Sequence, residues 1–374
     1  MQQPIRTTII HCAVVAITLC VAARAQVIHV SGSADALQNA AAAAPNGATL
    51  IVAPGIYNNV LLTNKILTIY APQRAYVRGG IDMQGALSRL TVRGLDVVTL
   101  FLGYSHPGRI WTQGDLRVDD CTCHSIVVQS LTRSTVVISR TTAIHPWSEA
   151  LRLECCDATV TDSVFESGTI AGSVTPAIVS ESSSVRFERV SATGSPGTSN
   201  GGRALVANAS GCYPTPSILT LADCTLSAGM NGTEAVQVTA STSLTMDQVS
   251  IHGTLSGPST VANLATARFA SGGWSVGGTT PIELDDEANS LGILILAGEV
   301  YAYSTPLIGE QLFVGLTPNY ILWDYGISDA AGNLLVNVTL PNNPALRYRQ
   351  IYATGIFLSS TPWRSTAAIG GLIE

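Results

Sequence analysis

Lysine is almost missing from this chain. Lys65 is the only one in 374 residues, and arginine supplies the rest of the 19 basic side chains. Charge of either sign is sparse, with Asp, Glu, Lys and Arg together at 12% and a formal net charge of −6. So few cations give no electrostatic footprint for nucleic acid or for an anionic membrane surface. Aromatic residues make up only 6%. No apolar run beyond residue 25 is long enough to cross a bilayer, so no membrane span is expected. No C-x-x-C pair, His-x-His pair or phosphate loop occurs either, which removes the common metal and nucleotide signatures.

What is abundant is small and β-prone: Gly, Ser, Thr, Val and Ala, the composition of an all-β chain with many turns. Arg6, the apolar stretch IIHCAVVAITLCVAA and the cleavage pattern Ala23-Arg24-Ala25 predict a secretion signal over 1–25 and an exported chain from Gln26.

The strongest signal is internal repetition. SRLTVRGLDV, GDLRVDDCTC, STVVISRTTA, CDATVTDSVF, SSVRFERVSA, SILTLADCTL and TSLTMDQVSI align without gaps. Each places apolar residues third and fifth, as in Leu90/Val92, Leu116/Val118 and Val185/Phe187. A second short element (SIVV, ALRL, PAIV, ALVA, AVQV) precedes the first in the later copies, with turn formers between. Such a unit cannot bury its apolar face alone, and stacked copies make a continuous core. The prediction is a right-handed parallel β-helix over 26–275, of roughly nine coils at ~4.8 Å each. SADALQNAAAAAPNG supplies an alanine-rich helix that covers its first strand edge.

The opening coil, ATLIVAPGIYNNVLLTNKILTIYAP with its Gly55-Ile56-Tyr57 turn, resembles that of secreted proteins of the pectate-lyase-like β-helix fold. The resemblance covers residues 27 to 275 and implies fold, not activity. The motifs of active relatives are missing: no G-H-G turn, no Q-D-T and, with one lysine, no R-x-K. The Gly-rich, then acidic stretch 276–290 reads as a linker, and 291–374 as a small C-terminal β-sandwich. The run from NYILWDYGISD to STAAIGGLIE resembles a short module that recurs on secreted bacterial proteins.

Cys121 and Cys123, beside Asp119, Asp120 and His124, invite a metal or disulfide reading. Their eighth and tenth repeat positions are core slots, where a reduced cysteine packs as a small hydrophobe. Six cysteines follow the signal (121, 123, 155, 156, 212 and 224), and their register commits to no pairing. The seventh position holds Asp120, Arg140, Asp162, Arg189 and Asp223 in successive coils. Alternating signs there predict a charge ladder along one corner, with a grip on a sugar acid as the functional alternative.

One constellation could carry binding. Tyr104, His106, Arg109 and Trp111 lie in one loop, His124 follows in the next coil, and His145 and Trp147 one coil further. All follow comparable strands, so they gather on one side of the rod, where rings stack on sugar faces and imidazoles meet hydroxyls. The competing reading is that the tryptophans pack loops against the rod. Catalytic candidates are weaker: Asp120 and Arg140 in the ladder, and Arg152 with Glu154 on an outward strand. No cofactor is expected. Glu283, Asp285, Asp286 and Glu287 are the one place for calcium, but they lack the glycine and spacing of a calcium loop and read as solvated linker. The resulting expectation is a secreted or surface-bound, non-catalytic protein with a polysaccharide or cell-surface glycan as partner. A divergent polysaccharide lyase or hydrolase, and a structural adhesin, are the alternatives.

Overall fold

The computed structural model describes residues 26–98, 108–168, 174–197, 201–209, 217–270, 273–304, 308, 311–313, 320–358 and 362–374. The secretion signal, Tyr104, His106 and Cys212 lie outside these residues.

The chain is a parallel β-helix. One sheet system runs from Val27–Val30 to Thr260–Val261, and all its pairings between successive coils are parallel. Each coil has three faces. The first is built by strands such as Asp115–Asp119 and Ser184–Glu188, the second by Thr142–His145 and Val164–Ser167, and the third by Arg109–Thr112 and Ile178–Glu181. The repeat read from sequence is the register observed. Third-position Leu90 pairs with Leu116, Leu116 with Val136, and Val136 with Ala158. Tenth-position Cys123 pairs with Val97 and Ala143, and Ala143 with Phe165. Inward side chains along these columns are fully buried in one continuous apolar core.

Cys121, Cys123, Cys156 and Cys224 are buried free thiols within it. Burial pushes Cys121 up to about 12, in keeping with a neutral thiol packed as a rung of the stack. Cys155, at a corner with φ of 56°, is disulfide-bonded.

The helix Ala36–Ala43 caps the first coil, burying Leu37 and Ala41. The single lysine has a place here: Lys65 Nζ donates to the carbonyls of Ala42 and Ala44, 3.0 and 2.6 Å away, at the end where helix carbonyls lack partners. No helix of the described residues is long and apolar enough to cross a membrane.

The segment 276–290 is not a linker. Thr279–Asp285 is the middle strand of a three-stranded antiparallel sheet, between Thr266–Phe269 and Asn333–Thr339. The alternation in TTPIELD explains this, because Thr280, Ile282 and Leu284 all point into an apolar core. The rod therefore ends before Thr266. The acids expected to be solvated are engaged: Glu283 with Arg268, and Asp286 and Glu287 with Arg364. A second antiparallel sheet, centred on Leu291–Ala297 and Gln350–Phe357, packs across the same core through Leu294, Leu296 and Phe357.

This C-terminal unit folds back along the first face of the rod. Arg93 donates to the Leu372 carbonyl (2.9 Å), Arg89 meets Glu299 (3.0 Å), and Glu188 accepts from the Ala367 amide (2.7 Å). Arg117, Asp119, Arg186 and Glu188, outward on that face, are consequently buried.

Candidate functional site

With the first face covered, the polar residues of the third face form the exposed side of the rod that carries most of the predicted constellation. Its strands alternate strictly. Ile110, Ile126, Val128, Leu151 and Leu153 turn inward, which sends Arg109, Trp111, Gln129, Arg152 and Glu154 outward. Register then sets the neighbours. Asp82 lies beside Trp111, Gln129 beside Glu154, Glu154 beside Glu181 and Glu181 beside Asn208.

At one end Arg109 makes a two-point ion pair with Asp82, 2.9 and 3.0 Å, and its guanidinium stands over the Trp111 ring at 5.5 Å. The indole Nε1 of Trp111 donates to Gln129 (3.0 Å). The ring is thus held at its face and its edge.

Further along, Glu154 and Glu181 are like charges on adjacent strands, an unfavourable pair unless a cation lies between. Arg152 is that cation. It contacts Glu154, Glu149 (3.0 Å) and Glu181 (3.4 Å). Burial alone would lower its pKa, but Glu154, Glu181 and Glu149 outweigh this and raise it. The three glutamates thus favour the charged form of Arg152. Glu149 is held below its ordinary range, burial notwithstanding, by Ser148, its own backbone and Arg152.

His124 and His145 come together at the corner between the second and third faces, with ring centroids 6.4 Å apart. His145 Nδ1 accepts from the backbone amides of Trp147 (3.0 Å) and Ser148 (2.7 Å), so the turn that carries Trp147 is hung from this imidazole. Burial, then His124, pushes His145 down to about 4, against an opposing pull from Glu149. His124 is also lowered by burial, and its Nδ1 is buried without a partner among the described residues.

Arg109, Trp111, His124, His145, Trp147, Arg152 and Glu154 thus share one side of the rod. Asp120 and Arg140 do not. They stand at the corner between the first and second faces, with φ of 51° and 48°. There Asp120 meets Arg74 (2.6 Å) and Arg140 meets Asp119 (2.7 Å). Sequence reasoning missed Asp82, Gln129, Glu149, Glu181 and Asn208. A signal was available for three of them: the short elements SIVVQ, ALRLE, AIVSE and ALVAN all end in a polar residue. One G-x-S-x-G string, Gly273 to Gly277, lacks the strand-to-helix context of a nucleophile elbow. Its exposed Ser275 leads into a turn and then the strand Thr279–Asp285.

No family model and no curated protein matches the chain. Among solved structures, the enzymatically active domain of bacteriophage CBA120 tailspike protein 2 is similar over 94% of this chain and 76% of its own, at 9% identity and a TM-score of 0.29. Full-length tailspike protein 2 from Escherichia coli O157:H7 bacteriophage CAB120 is similar over 94% of this chain and 68% of its own, at 10% identity and a TM-score of 0.27.

Proposed function

We propose that the chain works outside the cell as a non-catalytic binder of glycans, taking an extended saccharide along the outer third face. The observation that carries this reading is the Asp82–Arg109–Trp111–Gln129 assembly, a ring fixed in orientation amid polar groups that suit sugar hydroxyls. Glu149, Glu154 and Glu181 around one arginine leave that face acidic, which favours neutral or amino-bearing sugars over uronates. Hydrolysis needs one carboxyl kept protonated as acid. Glu149 is instead held below its ordinary range, and Glu154 and Glu181 are tied to Arg152.

The test is a glycan array with the secreted chain, run beside assays of product release with and without calcium. Binding lost in Trp111→Ala, with no product, supports the reading. Release of oligosaccharides that disappears in Glu154→Gln or Glu181→Gln would replace it with a hydrolase. Silence in both assays would leave the adhesin.

A further inference from the structure

We propose that the last coil of the rod is an interface for a second copy of this chain, joined end to end about a two-fold axis. The observation behind it is that the core columns run out into solvent there. Leu221 is 1% exposed, Met246 follows it in register and is half-buried, and Val261 follows Met246 at 82%. On the other two faces buried Leu226 gives way to half-buried Ile251, and buried Val236 to half-buried Leu255. The opposite end of the rod is finished differently. There the helix Ala36–Ala43 covers the first coil and buries Leu37 and Ala41.

The main chain is unfinished at the same place. Ser250–His252 on the second face, Thr254–Ser256 on the third and Thr260–Val261 on the first each pair with the coil before. Among the described residues, none pairs with anything beyond. Open edges of this kind attract another strand, and proteins normally guard them with charge or proline. This end carries no such guard. No Asp, Glu, Lys or Arg occurs from Gln248 to Ala267, and Pro258 lies in a turn, on none of the three edges. The corner column that runs through Asp162, Arg189 and Asp223 ends in the neutral Gln248.

These features select the occupant. One added peptide strand could satisfy only one of the three edges, whereas the end of another rod presents three at matching angles. The capping helix closes off head-to-tail stacking, so the partner end must be the same one, and the assembly stops at two. Opposed in this way the strands meet antiparallel: one face pairs with its own copy, and the other two exchange. Two-fold contact sets each charge near its own copy, and this end has none to repel in a chain of net −6. The apolar ends of the columns close on each other in the same step.

The experiment uses the secreted chain and does not depend on glycan binding. Sedimentation velocity is run over a wide range of concentration, and hydrogen exchange is followed at both extremes. We expect the mass to double with concentration, with slower exchange at the amides of 250–256 and 260–261 in the dimer. Val261→Asp, at a position exposed in the single chain, should keep the mass of one chain throughout. Should that variant fail to fold, the mass and exchange pattern of the native chain decide. A native chain that stays single overturns the proposal, and growth beyond two copies overturns the two-fold arrangement. So does a dimer that persists in Val261→Asp, or one whose protected amides lie elsewhere, as on the edge strand Tyr320–Ile327 with its exposed Leu322, Tyr325 and Ile327.

Discussion

Asp162 and Arg189 occupy the same left-handed corner of successive coils, with φ of 50° and 53°, and meet in a two-point ion pair of 2.7 and 3.1 Å. The corner turns the chain from the first face to the second. Its backbone is disfavoured for most side chains, and short polar residues tolerate it best. One position thus carries two demands, a left-handed backbone and a side chain that does not repel its neighbour one coil away. The alternating charges in the sequence answer the second demand here. At Asp120 and Arg140 the side chains reach past each other to Arg74 and Asp119.

The two demands separate by mutation. Asp162→Asn keeps a residue suited to the corner and loses a half-exposed ion pair, a cost of ~1 kcal/mol or less. Asp162→Val adds left-handed strain of ~1–2 kcal/mol. Urea unfolding midpoints should therefore fall in the order native, Asn, Val. Equal losses in the two variants would mean that the backbone conformation costs nothing.

Glu188 fastens the C-terminal unit to the rod. It is fully buried, pairs with buried Arg186 (2.7 Å) and accepts from the Ala367 amide (2.7 Å). Glu188→Ala breaks this buried ion pair and leaves the Ala367 amide without its acceptor, a loss of ~1–3 kcal/mol. The loss should show first as hydrogen exchange and protease cleavage in residues 266–374, while the coils far from the seam stay protected. Uniform loosening of the whole chain would argue that rod and unit unfold as one body.

The rod's columns were legible because its period is set by inward residues, and nothing else competes for those positions. The outer faces were much less so. Arg117, Asp119, Arg186 and Glu188 look in sequence like any outward charges of a strand, and only the docking of a distant unit buries them. Alternation tells which way a side chain points, not what it meets. The same limit hid Thr279–Asp285, whose flanking glycines and acids resemble a linker until Thr266–Phe269 and Asn333–Thr339 are laid beside it. On the third face, Trp111 and Arg152 were visible as residue types. Asp82 and Glu181 had no signature beyond the register that places them next to these two.

His145 makes the corner beside the site sensitive to acid. Its folded pKa of about 4 lies below the ordinary imidazole value, because burial disfavours the charged ring and His124 adds to this against an opposing pull from Glu149. A depressed pKa means that its stabilising contribution is full above about 6.5 and is lost as pH falls from there toward 4, by ~2–3 kcal/mol. Stability measured against pH should show that decline, and His145→Gln should remove most of it. A variant with an unchanged profile between pH 6.5 and 4 would locate the sensitivity in other groups.

Arg152 separates a structural role from a chemical one. In register, Glu154 and Glu181 are neighbours about 4.8 Å apart, and the guanidinium between them cancels their repulsion. Arg152→Ala should destabilise the chain by ~1–3 kcal/mol near neutral pH. Two unscreened carboxylates would titrate above their unfolded values, so that loss should grow as pH rises through the carboxylate range and shrink again in acid. Adding Glu181→Gln removes one of the two charges and should recover most of the stability. Recovery of stability without any change in glycan binding would make Arg152 a spacer for the glutamates. Binding that stays lost in the rescued double variant would place the guanidinium itself on the ligand.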